Sequence, residues 1–283
     1  MVANGTSGAV RGVRWPAELG RYALLTIILG VMVFPLLWMF RVALAPTGAS
    51  LALDALLTAD WTLDNLTDLF TSVGIGHALF NSVLVVVVVT LGNILFCFMT
   101  AYGLARYRFI GDKLLFASVI LILMIPLHIV IIPLYLLCLK VGIYDTYWAL
   151  ILPWLVNPIG IFLVKQYIEA IPTSMEEAAR VDGAGELRIL FTIVMPLCKP
   201  ALAVLAIQVF FTNWNSFLFP FILTSSESLR TLPVALALLQ GHQAIDWQHL
   251  MAGSTIAVLP VLVVFLFMQR QIVSGITAGA VKQ

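Results

Sequence analysis

Long apolar blocks alternate along this chain with short polar intervals. Six blocks, at roughly 22–44, 78–104, 115–138, 146–166, 200–223 and 250–272, reach the ~20 residues that an α-helix needs to cross a bilayer core. The apolar residues come as continuous runs, with no period-2 alternation and no narrow stripe of period 3.6. Such runs read as spans surrounded by lipid or by one another. The pattern therefore predicts an all-α polytopic membrane protein with six transmembrane helices. Pro35, Pro126, Pro133, Pro153, Pro158, Pro220 and Pro260 lie in or beside the blocks. Membrane helices tolerate proline where neighbours re-satisfy the backbone, so kinks are expected.

The first block invites comparison with a signal peptide, because Arg11 and Arg14 precede the apolar run from Tyr22. The run is too long for a typical signal core, and no small-residue cleavage site clearly follows it. It is read as a retained first span.

Composition supports the same class. Apolar residues make up 61% and charged residues 10%, against about 25% charged in soluble domains. The net charge of +1 gives no electrostatic basis for nucleic-acid binding. Cys97, Cys138 and Cys198 are far apart and lie in or beside apolar blocks. Their spacing suits neither a metal site nor a disulfide framework, and they read as buried structural thiols.

Positive charge sets the expected orientation. With a cytoplasmic N-terminus, only Arg41, Lys140 and Arg230 fall outside, leaving 15 − 3 = 12 of the Lys and Arg residues inside. Both termini are then cytoplasmic. Residues 1–21 form an inner tail, 22–272 the six-helix region, 167–199 an inner loop, and 273–283 a small, Gly- and Ala-rich inner tail. Segments 45–77 and 224–249 face outward; the first carries Asp54, Asp60, Asp64 and Asp68 and predicts one short helix near Leu63–Thr71.

No charged residue lies deep in a block, which weighs against an ion-coupled carrier, since such proteins place ionisable groups inside the membrane. The four histidines are read as structural or solvated: His77 at a span edge, His128 as a hydrogen-bonded interior residue, and His242 and His249 in the outer segment near Asp246. No catalytic set and no metal-ligand set is expected.

The inner loop concentrates the chain's scarce polarity. Pro172 ends the preceding helix. Ser174 and Glu177 fit an S-x-x-E capping box, with Thr173 and Glu176 as the alternative register. Gly183 can take the left-handed conformation that closes the helix. A second short helix should run from about Glu186 to Met195, limited by Pro196. Ala178 and Ala179 read as one small, close-approach face. These residues alone support a mere connector as well as a docking surface.

A longer pattern favours docking. Glu177-Ala178-Ala179 is followed after three residues by Gly183, and after nine more by Ile193-Val194-Met195-Pro196. This resembles the EAA loop, E-A-A-x3-G-x9-I-x-L-P, of the membrane subunits of bacterial ABC importers. Met195 stands where Leu is usual, a mild swap of similar volume. Asn81-Ser82, the run Ala101–Arg106, Trp214-Asn215 and the ending Gln269-Arg270 through Gly275–Lys282 resemble the carbohydrate-uptake, maltose-permease-like subunits with six spans. The resemblance covers roughly 15–283.

It implies a type I importer permease fold, with its core at about 77–270, in the bacterial inner membrane. It implies a binding-protein-dependent importer for a sugar or sugar-like solute, with a polyol or glycerol phosphate as the alternative cargo. In that family the loop is a coupling helix, which makes Glu177, Ala178, Ala179 and Gly183 docking residues and Arg180 and Asp182 polar supports. The implied partners are a second permease chain, two copies of a cytoplasmic ATPase, an extracytoplasmic solute-binding protein and membrane lipid. The sequence has no G-x-x-x-x-G-K-[ST] phosphate loop, so ATP and Mg would be used by the ATPase, and no cofactor is expected here. For a sugar-like cargo, Asn213, Trp214 and Asn215, with Gln208 and Asn157, offer hydrogen-bond partners and an aromatic face. The same residues suit helix–helix bonding equally well.

Overall fold

The computed structural model describes residues 15–239 and 246–280, with the side chains of 15–17, 56 and 270–280 left undescribed. Every regular element among the described residues is helical. The first apolar block forms α1 (Trp15–Ala43), a continuous helix that contains Pro35. Two short helices follow, α2 (Leu53–Thr58) and α3 (Asp64–Thr71); α3 is the short helix expected near 63–71. Buried Asn65 on α3 donates to the carbonyls of Ala43 (2.9 Å) and Ala45 (2.7 Å) and accepts from Thr47 Oγ1 (2.9 Å). These bonds satisfy carbonyls that the end of α1 leaves without intrahelical donors.

The second block is α4 (Ile75–Arg106), an unbroken helix long enough to span. The third differs from a straight helix. It divides into α5 (Asp112–Leu123) and α6 (Ile131–Val141), joined by a 3-10 turn at Leu127–Val130, with a bend of 98°. Proline restricts the residue before it to extended backbone, so the helix stops short of Ile125-Pro126. The fourth block is α7 (Tyr147–Ile151), a 3-10 turn containing Pro153, and α8 (Pro158–Glu169).

Beyond it lie α9 (Ser174–Val181), α10 (Glu186–Arg188), a π-helical stretch Ile189–Val194 and α11 (Met195–Leu197). The Glu186–Leu197 segment bends by 77° from the next helix, α12 (Lys199–Trp214). The helix thus passes through Pro196 and ends at Leu197. The fifth block breaks again at Asn215–Phe217 before α13 (Leu218–Leu223). A short helix not anticipated from sequence, α14 (Leu232–Leu238), precedes α15 (Trp247–Ala280). Residues 273–280 thus continue the last helix and do not form a separate tail. Among the described residues, four stretches are long and apolar enough to cross a membrane, namely α1, α4, α15 and the α7–α8 run Tyr147–Glu169, and six are reached if each bent pair is one span.

The helices pack around α4, which lies against both α8 and α12. Their shared core includes Val89, Cys97, Phe98, Val164, Ile168, Leu205 and Val209, and extends to Ala179 and Ile189 of the loop. Gly160 lets α8 approach closely, because a Cβ there would stand 2.6 Å from Leu205 Cδ1. Small residues permit this approach in membrane bundles. α1 pairs mainly with α15, and most of its side chains from 18 to 37 are exposed. A separate cluster joins α6, α7 and α13 through Ile131, Cys138, Ala149, Phe219 and Leu223.

Polar bonds secure the end of the bundle opposite α9. Asp145, with a left-handed φ of 57°, accepts from the backbone N–H groups of Ser225 (2.8 Å) and Ser226 (2.9 Å) and from the Ser226 hydroxyl. These bonds hold its carboxyl down to about pKa 2. Asn81 donates to the carbonyls of Ser228 (2.8 Å) and Arg230 (2.9 Å) and accepts from Tyr147 Oη (2.6 Å). The segment after α13 is therefore sewn onto the starts of α4 and α7.

Candidate functional site

The loop motif forms a compact unit at one end of the bundle. Helix α9 begins after Thr173, but neither expected capping box is made, since no side-chain hydrogen bond caps the N-terminus. The acids there have other surroundings. Glu177 is exposed, whereas Glu176 is 1% exposed. Glu176 Oε1 accepts from Arg106 Nε (2.7 Å), and Oε2 accepts from Tyr102 Oη (3.0 Å). Arg106 also donates through Nη2 to the carbonyl of Ile171 (2.8 Å). A carboxylate this buried needs such partners, because an unpaired buried charge is strongly disfavoured.

A second clasp lies outside the first. Arg180 grips Glu186 through Nε (2.8 Å) and Nη2 (3.2 Å), and Tyr107 Oη donates to Glu186 Oε2 (2.8 Å). The Arg180 fork, followed by the Tyr107 hydroxyl, lowers the Glu186 carboxyl to about pKa 2. The same fork raises the Arg180 guanidinium, and the bond to Glu186 raises the Tyr107 phenol. Being exposed, this clasp is sensitive to salt and contributes little stability.

Gly183 closes α9 at φ +80°, as its position predicts, and no atom lies within 4 Å of where its Cβ would be. The two alanines do not share a face. Ala178 is exposed, while Ala179 is 9% exposed and packs into the core beside α4 and α8. Successive helix residues point about 100° apart, so one of an adjacent pair turns inward. The outward surface is built from Glu177, Ala178, Val181, Asp182 and Gly183, with Arg180 on its flank.

The expected path residues divide by role. Trp214 is buried, stacks on Phe210 at 5.8 Å and donates from Nε1 to the Ala257 carbonyl (3.1 Å), and it borders the same cleft as Asn215. Asn213 and Asn215 each donate to the carbonyl four residues back, Val209 and Phe211, both at 2.9 Å. Asn215 is exposed at the α12 break and lines a cleft of about 330 Å³ with Leu232 and Pro233 of α14. Gln208 is half-buried on α12. Asn157 caps α8 by accepting from the Ile159 N–H (2.9 Å), well apart in the chain from the α12 break.

His128 departs from expectation, since it is exposed in the bend between α5 and α6. His249 pairs through Nδ1 with Asp246 Oδ2 (2.7 Å), and its N–H donates to Asp246 Oδ1 (3.1 Å), which caps the first turn of α15. His242 lies outside the described residues. The pair missed from sequence is Arg106 with Glu176. Its signal was the helical phase: Glu176 stands three residues before Ala179, on the side of α9 that turns inward.

With this loop and bundle in view, residues 93–278 match the model of the family described as binding-protein-dependent transport system inner membrane component. The chain belongs to this family. The permease is 38% identical over 259 residues to an arabinooligosaccharide transport system permease protein of Halalkalibacterium halodurans, covering 89% of this chain and 92% of that one. It is 32% identical over 279 residues to a trehalose transport system permease protein of Mycobacterium tuberculosis, covering 97% and 99%. Its fold resembles a solved chain of a bacterial ABC transporter that imports the acidic polysaccharide alginate. The TM-score is 0.77 at 22% identity, with 95% of the permease and 99% of that chain covered. The permease is thus a multi-pass inner-membrane subunit of a binding-protein-dependent importer.

Proposed function

We propose that the permease forms one half of the path for a sugar or sugar-like solute, beside a second, homologous permease chain, and is driven by two copies of a cytoplasmic ATPase. An extracytoplasmic binding protein delivers the solute. The relatives' names, for arabinooligosaccharides and trehalose, support a carbohydrate cargo. The observation that carries the coupling role is the two-faced form of α9. Its inner side is fixed by buried Glu176 and Ala179, and its outer side offers Glu177, Ala178, Val181, Asp182 and Gly183. Small Ala178 and the Gly183 turn admit a close partner surface, while Arg180 and the acids supply polar edges. ATP and Mg act in the partner chain.

Gly183→Asp tests the docking. A Cβ there meets no atom within 4 Å, and Asp is among the few residues that tolerate a positive φ, so insertion should persist while the ATPase is lost on purification. Recovery of the ATPase at the unaltered ratio would reject the docking reading. For the cargo, the assembled complex should retain a carbohydrate identifiable by mass spectrometry. A bound non-carbohydrate solute would reject that part.

A further inference from the structure

We infer that Glu176, the acid immediately before the recognised motif, is the residue through which the loop acts on the bundle. With Arg106 and Tyr102 it makes a joint that binds α9 and the inner end of α4 into one rigid unit. This rests on the reading that α9 docks on the ATPase.

Three observations support the joint. First, both oxygens of Glu176 are engaged by residues one helical turn apart on α4, Tyr102 at 3.0 Å and Arg106 at 2.7 Å. Two separated contacts from one carboxylate to one helix face fix orientation as well as distance. Second, Arg106 also holds the Ile171 carbonyl at 2.8 Å, so the link from α8 to α9 cannot flex independently of α4. Third, the cluster is closed to solvent: the Arg106 and Glu176 side chains are 9% and 2% exposed. Burying an ion pair adds little net stability beyond what apolar packing would give, so stability alone is a weak reason for it. A fixed orientation is a better one.

The joint also sits where movement matters. α4 touches α7, α8, α12 and α14, so displacement of its inner end reaches most of the bundle. Glu177 faces outward on the docking surface, and Glu176 carries the displacement inward. The exposed Arg180–Glu186–Tyr107 clasp braces the same corner.

The test uses the complete complex in lipid nanodiscs, with nitroxides on Phe80→Cys of α4 and Phe221→Cys of α13. Both positions are exposed near the end of the bundle opposite α9, and the three native cysteines are buried. Label separation is measured by pulsed electron resonance without nucleotide and with Mg-ATP and vanadate, in four backgrounds. These are the unaltered chain, Glu176→Gln, the paired Arg106→Met/Glu176→Met, and Gly183→Asp. The expected result is a nucleotide-dependent shift in the unaltered chain, a shift reduced at least twofold in Glu176→Gln, and none in the paired variant. ATPase content should stay at the unaltered ratio in the two Glu176 backgrounds. A full shift in both of these overturns the joint and leaves a packing role. Loss of the ATPase from Glu176→Gln overturns it as well, placing Glu176 in docking or folding. Retention of both ATPase and shift by Gly183→Asp, or no shift in the unaltered chain, instead overturns the docking reading beneath it.

Discussion

Gly160 marks a close approach of α8 to Leu205 of α12 and Cys97 of α4, and replacing it with alanine should loosen all three helices. The added methyl would stand 2.6 Å from Leu205 Cδ1, 3.2 Å from Cys97 Sγ and 3.3 Å from Leu205 Cδ2. Carbon atoms in good contact lie about 3.5–4.0 Å apart, so the Leu205 tip must retreat by about 1 Å. Leu205 and Cys97 are both fully buried. Retreat therefore means a strained Leu205 rotamer or a displaced helix, and overpacking of this kind costs about 1–3 kcal/mol. Alanine regains at most about 1 kcal/mol of helix propensity, and less in the first turn of α8. A net loss of about 1–2 kcal/mol is expected. Equilibrium unfolding of the purified permease in mixed detergent micelles, titrated with sodium dodecyl sulfate, would read it. Gly103→Ala is the control, because no atom lies within 4 Å of a Cβ there, and it should be neutral or slightly stabilising. Pairing Gly160→Ala with Leu205→Val removes the clashing Cδ atoms, so the double variant should be less destabilised than the sum of the single effects by about 1 kcal/mol. A stable Gly160→Ala variant, or strict additivity in the pair, would refute the close-approach argument.

Other expectations follow from the two ends of the bundle and the α12 break. Asp145 has its carboxyl lowered from 3.8 to about 2 by its bonds to Ser226 and Ser225. Because the folded value is depressed, its contribution is full above the unfolded value and is lost as pH falls through about 2. Amide exchange at Ser225 and Ser226 should therefore stay protected, after correction for intrinsic rates, from neutral pH down to about pH 4; early loss of protection would contradict the clasp. Asp145→Ala should open the same amides at every pH and Asp145→Asn much less, since Asn tolerates a positive φ. Asn65→Leu removes three hydrogen bonds from a fully buried position and should destabilise by about 2–5 kcal/mol, through the two orphaned carbonyls; a thermal melt within a degree of the unaltered chain would show that they find other partners. Asn215→Leu should lower uptake by the reconstituted complex more than it lowers assembly, and unchanged uptake would leave Asn215 as a residue of the helix end alone.

The spans were legible because their signal is local. A continuous apolar run such as Val83–Val89 gives α4 whatever its neighbours do, and the short α3 falls where a helix near Leu63–Thr71 was expected. Gly183 was legible too, since a positive φ at a helix end favours glycine. The bend after α5 was visible only as a proline, because Pro35 and Pro260 sit inside unbroken helices while Pro126 accompanies a 98° turn. Tertiary surroundings decide between those outcomes. The S-x-x-E pattern misled for a related reason: Glu176 and Glu177 are equally plausible as local caps, and only Arg106, seventy residues earlier, determines which one turns inward. Likewise Ala178 and Ala179 cannot be told apart until the phase of α9 against the core is known. Trp214 and Asn215 are adjacent in sequence and border one cleft, but Trp214 is buried at the end of α12 while Asn215 is exposed at the break, a difference that only the packed bundle reveals.

The bend between α5 and α6 has a consequence for how the permease is made. Every residue from 121 to 130 is exposed in the isolated chain, in the middle of what composition marks as a span. Irregular backbone is tolerated at membrane depth only where protein or a water-filled cavity covers it. Within the membrane this bend must therefore face protein or a water-filled path and not lipid. If a second chain supplies that cover, copies made in excess of it should be the first to be degraded, which a pulse-chase of this chain expressed alone would show.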